Sequence, residues 1–301
     1  MQEENMDFLI NMLKEQYGTE TANKIMEGCT TQRAVTFRVN TIKSNVETIE
    51  NKLKEAKIEY EKTPWSKETF IIKNANEKLI QELDIYKNGE IYLQSLSSML
   101  PPIILKPQEG TDILDMAAAP GGKTTQMAAL SENKAHITAC EKNKIRAERL
   151  KYNVDKQGAS CVFIMTKDAR YIDDFFSFDQ ILLDAPCSGS GTLNINDSNL
   201  KNVFTKKLIE KSISSQLALL KKAIRILKPG KEMVYSTCSI LACENEDVVK
   251  KILSSENAEI VPIDFEGIEY IPVLPTKIDG TLCVCPNELY EGFFVAKIRK
   301  K

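Results

Sequence analysis

One histidine in 301 residues is the sharpest shortage in this sequence. His136 leaves a Ser/His/Asp triad a single base to choose from and removes most histidine-rich zinc sites, which argues against hydrolase chemistry from the start. No run of 18 or more apolar residues occurs, so no hydrophobic helix of bilayer length is written here. Glycine, at 13, and proline, at 11, are too few for a collagen-like or linker-dominated chain. Net positive charge is missing as well. Lys and Arg number 40 against 42 Asp and Glu, a balance of -2, so any polyanion site must be a local patch. The opening MQEENMDF carries acid where a secretory signal carries base, and it predicts a mature chain beginning at Met1 in the cytoplasm.

Cysteine is not scarce: eight occur, at 29, 140, 161, 187, 238, 243, 283 and 285. A chain this long builds its core without staples, and cytoplasmic thiols stay reduced, so each cysteine is read by its own surroundings. Cys29, Cys140 and Cys161 lie in apolar stretches and read as core. Cys283-x-Cys285 and the Cys238/Cys243 spacing lack the histidines or second C-x-x-C of a zinc site, and no metal is expected.

Two textures divide the chain. Apolar positions from Phe8 to about Gly28 recur at helical spacing, and 34–40 alternates like a strand. Ser44 followed by Glu47 has the form of a capping box for a helix continued by Val46, Ile49 and Leu53. Strand candidates at 58–60, 70–72 and 91–93 and a helical 79–83 complete a small α+β domain, residues 1–90. Over 91–301 the pattern becomes βαβ. Strands are predicted at 111–115, 135–140, 160–165, 179–184 and 231–236, with helices at 123–130, 142–156, near 171–176 and at 205–227, the last closed by Lys228-Pro229-Gly230. The tail 292–300 is strand-like and is predicted to close the sheet at an edge. His136 is expected at the start of the second of these strands without a catalytic duty. Trp65, between Pro64 and Ser66, is expected in a loop as a base-stacking or surface-anchoring side chain.

Three constellations carry chemistry. In DMAAAPGGKTT, 115–125, a strand ends in Asp, small residues turn, and Lys-Thr opens a helix, so a ligand can approach the backbone and the helix N-terminus. Nucleotide phosphate and S-adenosylmethionine both fit. A P-loop would place its first glycine at 117, where this chain has Ala, and Pro120 removes one N–H from a phosphate cradle; ILLDAP at 181–186 is that reading's best support. Acids follow successive strands at Glu141, Asp168 and Asp184, where they serve either a nucleoside or an ordinary helix cap. Cys187 in DAPCSGSG and Cys238 in YSTCS follow two strands of one sheet, among residues that suit turns rather than cores. A thiol beside a methyl donor suits pyrimidine chemistry: thiolate addition at carbon 6 turns a ring too poor to attack a sulfonium into an enamine that can.

With RVNT at 38–41, DMAAAPGGKT at 115–124, Glu141, Asp168, DAPCSGSG at 184–191, STCS at 236–239 and EGFFVAK at 291–297, the sequence resembles the Sun/Fmu-type RNA cytosine-5 methyltransferases over almost its whole length. The resemblance implies a Rossmann-like class I methyltransferase domain behind a small domain like an RNA-recognition module. It implies that Ala117, Ala118, Ala119, Pro120, Gly121, Gly122 and Lys123, with Glu141, Asp168 and Asp184, bind S-adenosylmethionine. It assigns Cys238 as nucleophile and Cys187 to product release, and gives Asp184 a second, catalytic duty near ring nitrogen 3. Lys123 is expected to touch Asp184 or the methionine carboxylate. The implied partner is RNA, ribosomal before transfer, with Arg38 and Asn40 in the matching motif. The nine Lys and Arg within 197–231, Lys206 and Lys207 among them, form a local basic stretch that fits RNA or a solvated helix face. A monomer is expected. The competing readings are a P-loop-like nucleotide-binding regulator and a catalytically dead RNA-binding relative.

Overall fold

The computed structural model describes residues 2–194 and 204–301. Two helices come first, α1 (Gln2–Tyr17) and α2 (Thr19–Gly28). Their apolar positions Leu9, Leu13, Ala22 and Ile25 join the core cluster of the large sheet described below, so this hairpin buttresses the later half of the chain. A split βαβ unit follows: β1 (Val35–Val39), α3 (Val46–Glu55), β2 (Tyr60–Thr63), β3 (Ser66–Ile72), α4 (Glu77–Glu82), α5 (Asp84–Lys87) and β4 (Ile91–Leu93). The sheet is antiparallel in the order β2-β3-β1-β4, and it takes its last strand from just past residue 90. The cap of α3 is Asn45, which accepts from the Thr48 amide at 2.9 Å, rather than Ser44; asparagine caps at least as well, and Glu47 then falls one position short of a capping box.

Alternation along β1 gives the small sheet two buried faces. Phe37 and Val39 join Phe70, Ile72 and Ile91 beneath the helices. Arg38 points the other way, only 3% exposed, and its guanidinium lies over the Tyr92 ring. It donates to Gln94 Oε1 (3.0 Å), to the Gly122 carbonyl (3.0 Å) and to Thr125 Oγ1 (2.8 Å). Asn40 is fully buried and donates to the carbonyls of Gly89 and Gln157. The RNA contact expected of Arg38 and Asn40 is therefore corrected: the face that carries them is packed on the second domain. Trp65 is likewise no free loop aromatic, being 7% exposed and donating from Nε1 to the Tyr290 hydroxyl at 2.8 Å.

The second domain opens with α6 (Leu96–Leu105), which the sequence reading missed because of Pro101 and Pro102 in its interior. Pro102 cannot donate to the Ser98 carbonyl, and the Gln94 side chain supplies that bond instead at 3.0 Å. Then come β5 (Asp112–Asp115), α7 (Gly122–Leu130), β6 (His136–Cys140), α8 (Lys144–Gln157), β7 (Val162–Met165), β8 (Phe178–Asp184), α9 (Lys206–Ile226) and β9 (Leu227–Thr237). After them run α10 (Glu246–Leu253), β10 (Ala258–Val261), β11 (Leu282–Val284) and β12 (Phe293–Lys300). The sheet order is β10-β12-β9-β8-β5-β6-β7, with β7, β6, β5, β8 and β9 parallel and β11 on β12. This is the expected α/β fold.

Three local expectations change. The 292–300 strand is interior, paired antiparallel with both β9 and β10, because an unforeseen strand at 258–261 takes the edge. The Lys228-Pro229-Gly230 stop does end α9, but β9 has already begun at Leu227 and bulges through that stretch. Near 171–176 there is only a 3₁₀ turn, Ala169–Tyr171, capped by Asp168, and Phe175 is solvent-exposed. Among the described residues no helix is long and apolar enough to cross a membrane.

Arg38→Met removes three hydrogen bonds from a buried charged donor, a loss of about 2–4 kcal/mol, so the melting midpoint is expected to fall by roughly 3–6 °C. Differential scanning calorimetry checks this. An unchanged midpoint with weakened RNA binding would return Arg38 to the RNA surface.

Candidate active site

Strand β5 has β6 on one side and β8 on the other, so the chain reverses its winding between Asp115 and Asp184, the position where open α/β sheets hold ligands. The turn after Asp115 is shaped for close approach. Gly121, at φ 110°, begins α7 without a side-chain cap, and a Cβ there would meet Leu150 at 3.0 Å; the Ala119-Pro120 bond is cis. Asp115 is buried, accepts from Thr124 Oγ1 at 2.7 Å, and burial lifts its carboxyl from 3.8 to about 6.

Asp184 is bracketed. Ser236 Oγ donates to Oδ1 and Lys123 Nζ pairs with Oδ2, each at 2.8 Å, while Lys123 also donates to Ser98 Oγ. Burial works against the Lys123 charge, but Asp184 outweighs it and its pKa sits above the ordinary lysine value. With β8 and β9 parallel and Asp184 level with Ser236, the loops that follow them run side by side, and Cys187 Sγ lies 3.3 Å from Cys238 Sγ. The loops are joined by the Gly191 amide on the Cys238 carbonyl (3.0 Å), and the Gly292 amide on the Gly191 carbonyl (2.8 Å) ties in β12. A Cβ on Gly191 would sit 2.0 Å from the Gly292 oxygen, so only glycine permits that crossing. The hydrogen bond to Cys238 and burial hold the Cys187 thiol well above the usual cysteine value.

A cavity of about 340 Å³ opens onto these groups. Asp115, Ala117, Ala118, Ala119, Pro120, Gly122, Lys123, Asp184 and Cys238 all line it. A narrower cleft beside it is lined by Glu141 and Asp168 with Ala117, which both share. Glu141 is buried; its Oε1 accepts from the Asn143 amide at 2.8 Å and Oε2 faces Arg146 at 3.5 Å. Asp168 caps its turn and is gripped by Arg170 Nε and Nη2, which depresses its pKa. The sequence-selected residues 117–123, 141, 168, 184, 187 and 238 thus converge on one sheet edge. A larger cavity, about 710 Å³, lies between Trp65, Glu68 and Leu130 and holds none of the strand-end acids or thiols.

Reasoning from sequence missed Tyr92, Gln94, Ser95, Ser98, Thr192, Glu291 and Phe293, which also line the main cavity. Their only signal was position, since Gln94 to Ser98 flank a proline-bearing segment and Glu291 opens a motif read as a strand. His136 stands at the start of β6, exposed, with Nδ1 3.3 Å from Asp112, at the opposite end of the parallel strands from Cys187 and Cys238. Cys283 and Cys285 are buried, while Cys161 and Cys243 are half-buried, and all eight thiols are free. The described residues hold no cluster of metal-ligating side chains.

The basic stretch is divided by its own helix. At 1.5 Å per residue α9 extends about 30 Å, carrying Lys206 and Lys207 at the carboxyl edge of the sheet and its last turn at the other end. Lys206 and Lys207 are exposed. Lys228 and Lys231 pair with Asp179, Lys222 with Asp174 and Lys221 with Glu256, so these four form a paired, structural face. Lys201 and Asp197 lie outside the described residues.

A family model described as 16S rRNA methyltransferase RsmB/F matches residues 102–299, and one described as an RsmF/B-like ferredoxin-like domain matches 7–77. The chain is 37% identical over 278 residues to the tRNA (cytosine(49)-C(5))-methyltransferase of Pyrococcus abyssi, covering 88% of this chain and 87% of that protein. It is 32% identical to the ribosomal RNA small subunit methyltransferase F of Shewanella loihica, over 98% of this chain but 62% of the longer relative. Among solved structures it is similar to NSun6 from Pyrococcus horikoshii with SFG, an S-adenosylmethionine analogue, at a TM-score of 0.85, 26% identity and 97% coverage of both chains.

Because Asp115 binds its proton more tightly folded than unfolded, its contribution to stability is full below about pH 4 and is lost as the pH rises through about 6. Asp115→Asn abolishes that dependence. Urea unfolding at pH 4 and pH 7 is expected to show the variant gaining on the wild type by up to about 3 kcal/mol across the interval; parallel curves would refute a buried, late-ionising Asp115.

Proposed function

The chain belongs to the 16S rRNA methyltransferase RsmB/F family, and from that premise we propose that it methylates carbon 5 of a cytosine in RNA through a transient bond between Cys238 and the base. The observation that carries this reading is the pair of thiols 3.3 Å apart, one of them lining a cavity shared with Asp184, Lys123 and the 117–122 turn. Exocyclic amine methylation needs no thiol, and a nucleotide-binding regulator needs neither; in the latter case Lys123 would face an anion at the helix start, whereas here it is committed to Asp184 and Ser98.

The residues fit S-adenosylmethionine. The uncapped first turn of α7 offers backbone N–H groups to a carboxylate, and Glu141 and Asp168 line the cleft on the nucleoside side. When bound, the cofactor supplies an electrophilic methyl group. Cys238 adds as thiolate to carbon 6 of the target base, which places electron density on carbon 5. In this reading Asp184, held by Ser236 and Lys123, shares a proton with ring nitrogen 3, and that proton offsets the charge that develops on the ring. After methyl transfer a base takes the carbon 5 proton, the electron pair left behind restores the carbon 5–carbon 6 double bond and expels Cys238 with the carbon–sulfur pair, and Cys187, kept protonated beside Cys238, gives its proton to the departing sulfur. The target cytosine is unpaired or flipped, since stacking hides carbon 6.

We further propose a ribosomal or transfer RNA substrate, with Lys206 and Lys207 on its backbone. The relative matched along most of its own length is named for transfer RNA, and the ribosomal relatives extend well past the match.

Cys238→Ala is expected to lower methyl transfer at least a thousandfold, and Cys187→Ala to accumulate a denaturation-stable protein–RNA adduct. Bisulfite sequencing of RNA incubated with each protein and gel analysis of the adduct check both, and full activity of Cys238→Ala would sink the mechanism. Lys206→Ala with Lys207→Ala should weaken RNA binding without sequence preference and reduce the salt slope by about 1.4, read by fluorescence anisotropy from 50 to 300 mM salt. An unchanged slope would make these lysines a solvated face.

A further inference from the structure

Glu244 is completely buried and, among the described residues, has no cationic partner. Its carboxylate is instead held by three neutral donors. Oε1 accepts from the Ser188 amide at 2.7 Å, and Oε2 accepts from Ser188 Oγ at 2.5 Å and from Ser239 Oγ at 2.7 Å. Ser188 follows Cys187 and Ser239 follows Cys238, so one carboxylate ties the two cysteine loops together.

The rest of the hydrogen-bond pattern agrees. Ser239 spends its only hydroxyl proton on Glu244, so the 2.8 Å contact with Ser190 has Ser190 as donor, and Ser190 Oγ in turn accepts from the Ile240 amide. Every hydroxyl in the chain Ile240–Ser190–Ser239–Glu244 therefore points toward the carboxylate, a direction fixed by Glu244 being an acceptor. Asn245 begins α10 but does not cap it. Its side chain accepts from Thr237 Oγ1 at 2.5 Å and donates to the Ser239 carbonyl at 2.9 Å, bracing the Cys238 loop from both sides. Tyr235 anchors the same segment through the Glu244 carbonyl at 2.8 Å. A buried carboxylate without a cation lowers stability relative to a well-packed apolar residue, so its presence calls for a reason other than stability.

We propose that Glu244 is the positioning residue of the thiol pair, its carboxylate fixing Ser188 and Ser239 and thereby the separation of Cys187 and Cys238. This rests on the reading that Cys238 attacks the base and Cys187 assists release. The negative charge of Glu244 also adds to the forces that keep Cys187 a neutral thiol, after its hydrogen bond to Cys238 and its burial. The placement thus serves both the distance between the sulfurs and the difference between them.

The test reads the sulfur geometry directly. Diamide takes two electrons and two protons from a pair of thiols, leaving a disulfide and the hydrazine, at a rate set by how closely the thiols are held. In the wild type, the Cys187–Cys238 crosslink, followed by mass spectrometry of unreduced peptides, is expected to form ahead of any other pair. Glu244→Gln keeps the shape but sets an NH₂ group against hydroxyl and amide donors. It should slow this crosslink at least tenfold and lower kcat at least tenfold with KM for RNA within about twofold. If Glu244→Gln fails to fold, Ser188→Ala, which removes one donor, should slow the crosslink severalfold. An unchanged crosslinking rate in the folded variant overturns the proposal whatever the activity, as does a slowed crosslink with unchanged kcat. A slowed crosslink in a protein whose wild type methylates no RNA supports the positioning role and removes the cytosine reading alone.

Discussion

The register of β8 against β9 is the constraint on which the rest depends. Leu183 lies level with Tyr235 and Asp184 with Ser236, so the two strands end together and their cysteines, three and two residues further on, emerge at the same height. A one-residue slip would exchange the faces of the buried Leu182 and Leu183, which pack into the cores on the two sides of the sheet, and separate the loops. The irregular entry of β9 protects this alignment: between the Phe178–Leu227 and Gln180–Glu232 pairs the chain advances two residues on β8 and five on β9, so the Lys228-Pro229-Gly230 stretch is absorbed before the half of the ladder that leads to the two cysteines begins. The strand β12, level with Thr237 and Ser236 through Phe294 and Val295, locks β9 from its other side. Gly292, just before it, meets Gly191 backbone to backbone.

The small domain acts on this edge from behind. Arg38 reaches across the interface to the Gly122 carbonyl and Thr125 in the first turn of α7, and Gln94 links Arg38, Ser98 and Gln126. The turn 116–122 is thereby fixed from both domains, by Asp115 on one side and by Arg38 on the other. An arginine suits this duty because its guanidinium remains charged even at full burial and its donors are set in a fixed fork. The same packing explains why the open face of a four-stranded sheet, which RNA-recognition modules use to stack bases, is here spent on holding another domain.

Much of this was legible in the sequence. The strand-end acids, the two cysteine turns and the βαβ order all follow from local chemistry: glycine where backbones approach, apolar runs of strand length, small residues beside a ligand. What could not be read was set by tertiary contact. The α6 helix contains two prolines, and only the Gln94 side chain, brought from outside the helix, satisfies the carbonyl that Pro102 leaves bare. Arg38 and Asn40 have the residue types of a nucleic-acid contact, and nothing local distinguishes that from a buried interface. The basic stretch around α9 is one run in sequence, yet a helix about 30 Å long sends its two ends to opposite edges of the sheet, and Asp179, Asp174 and Glu256 neutralise the distal part.

The scarcity of histidine also takes on a physical meaning at this site. Two sulfurs 3.3 Å apart in a half-buried setting cannot both carry a negative charge, so the pair holds at most one thiolate at a time, and the proton it retains can be moved without an imidazole. Which sulfur keeps the proton follows from position. Cys187 is drawn toward neutrality by Cys238, by burial and by Glu244, whereas Cys238 lines the cavity that also holds Lys123 and Asp184. The carboxylates complete the division of labour. Asp184 is ion-paired and faces the cavity, Asp115 is buried and late to ionise, and Glu244 is sealed behind the thiols, so three acids within one sheet edge occupy three different electrostatic environments.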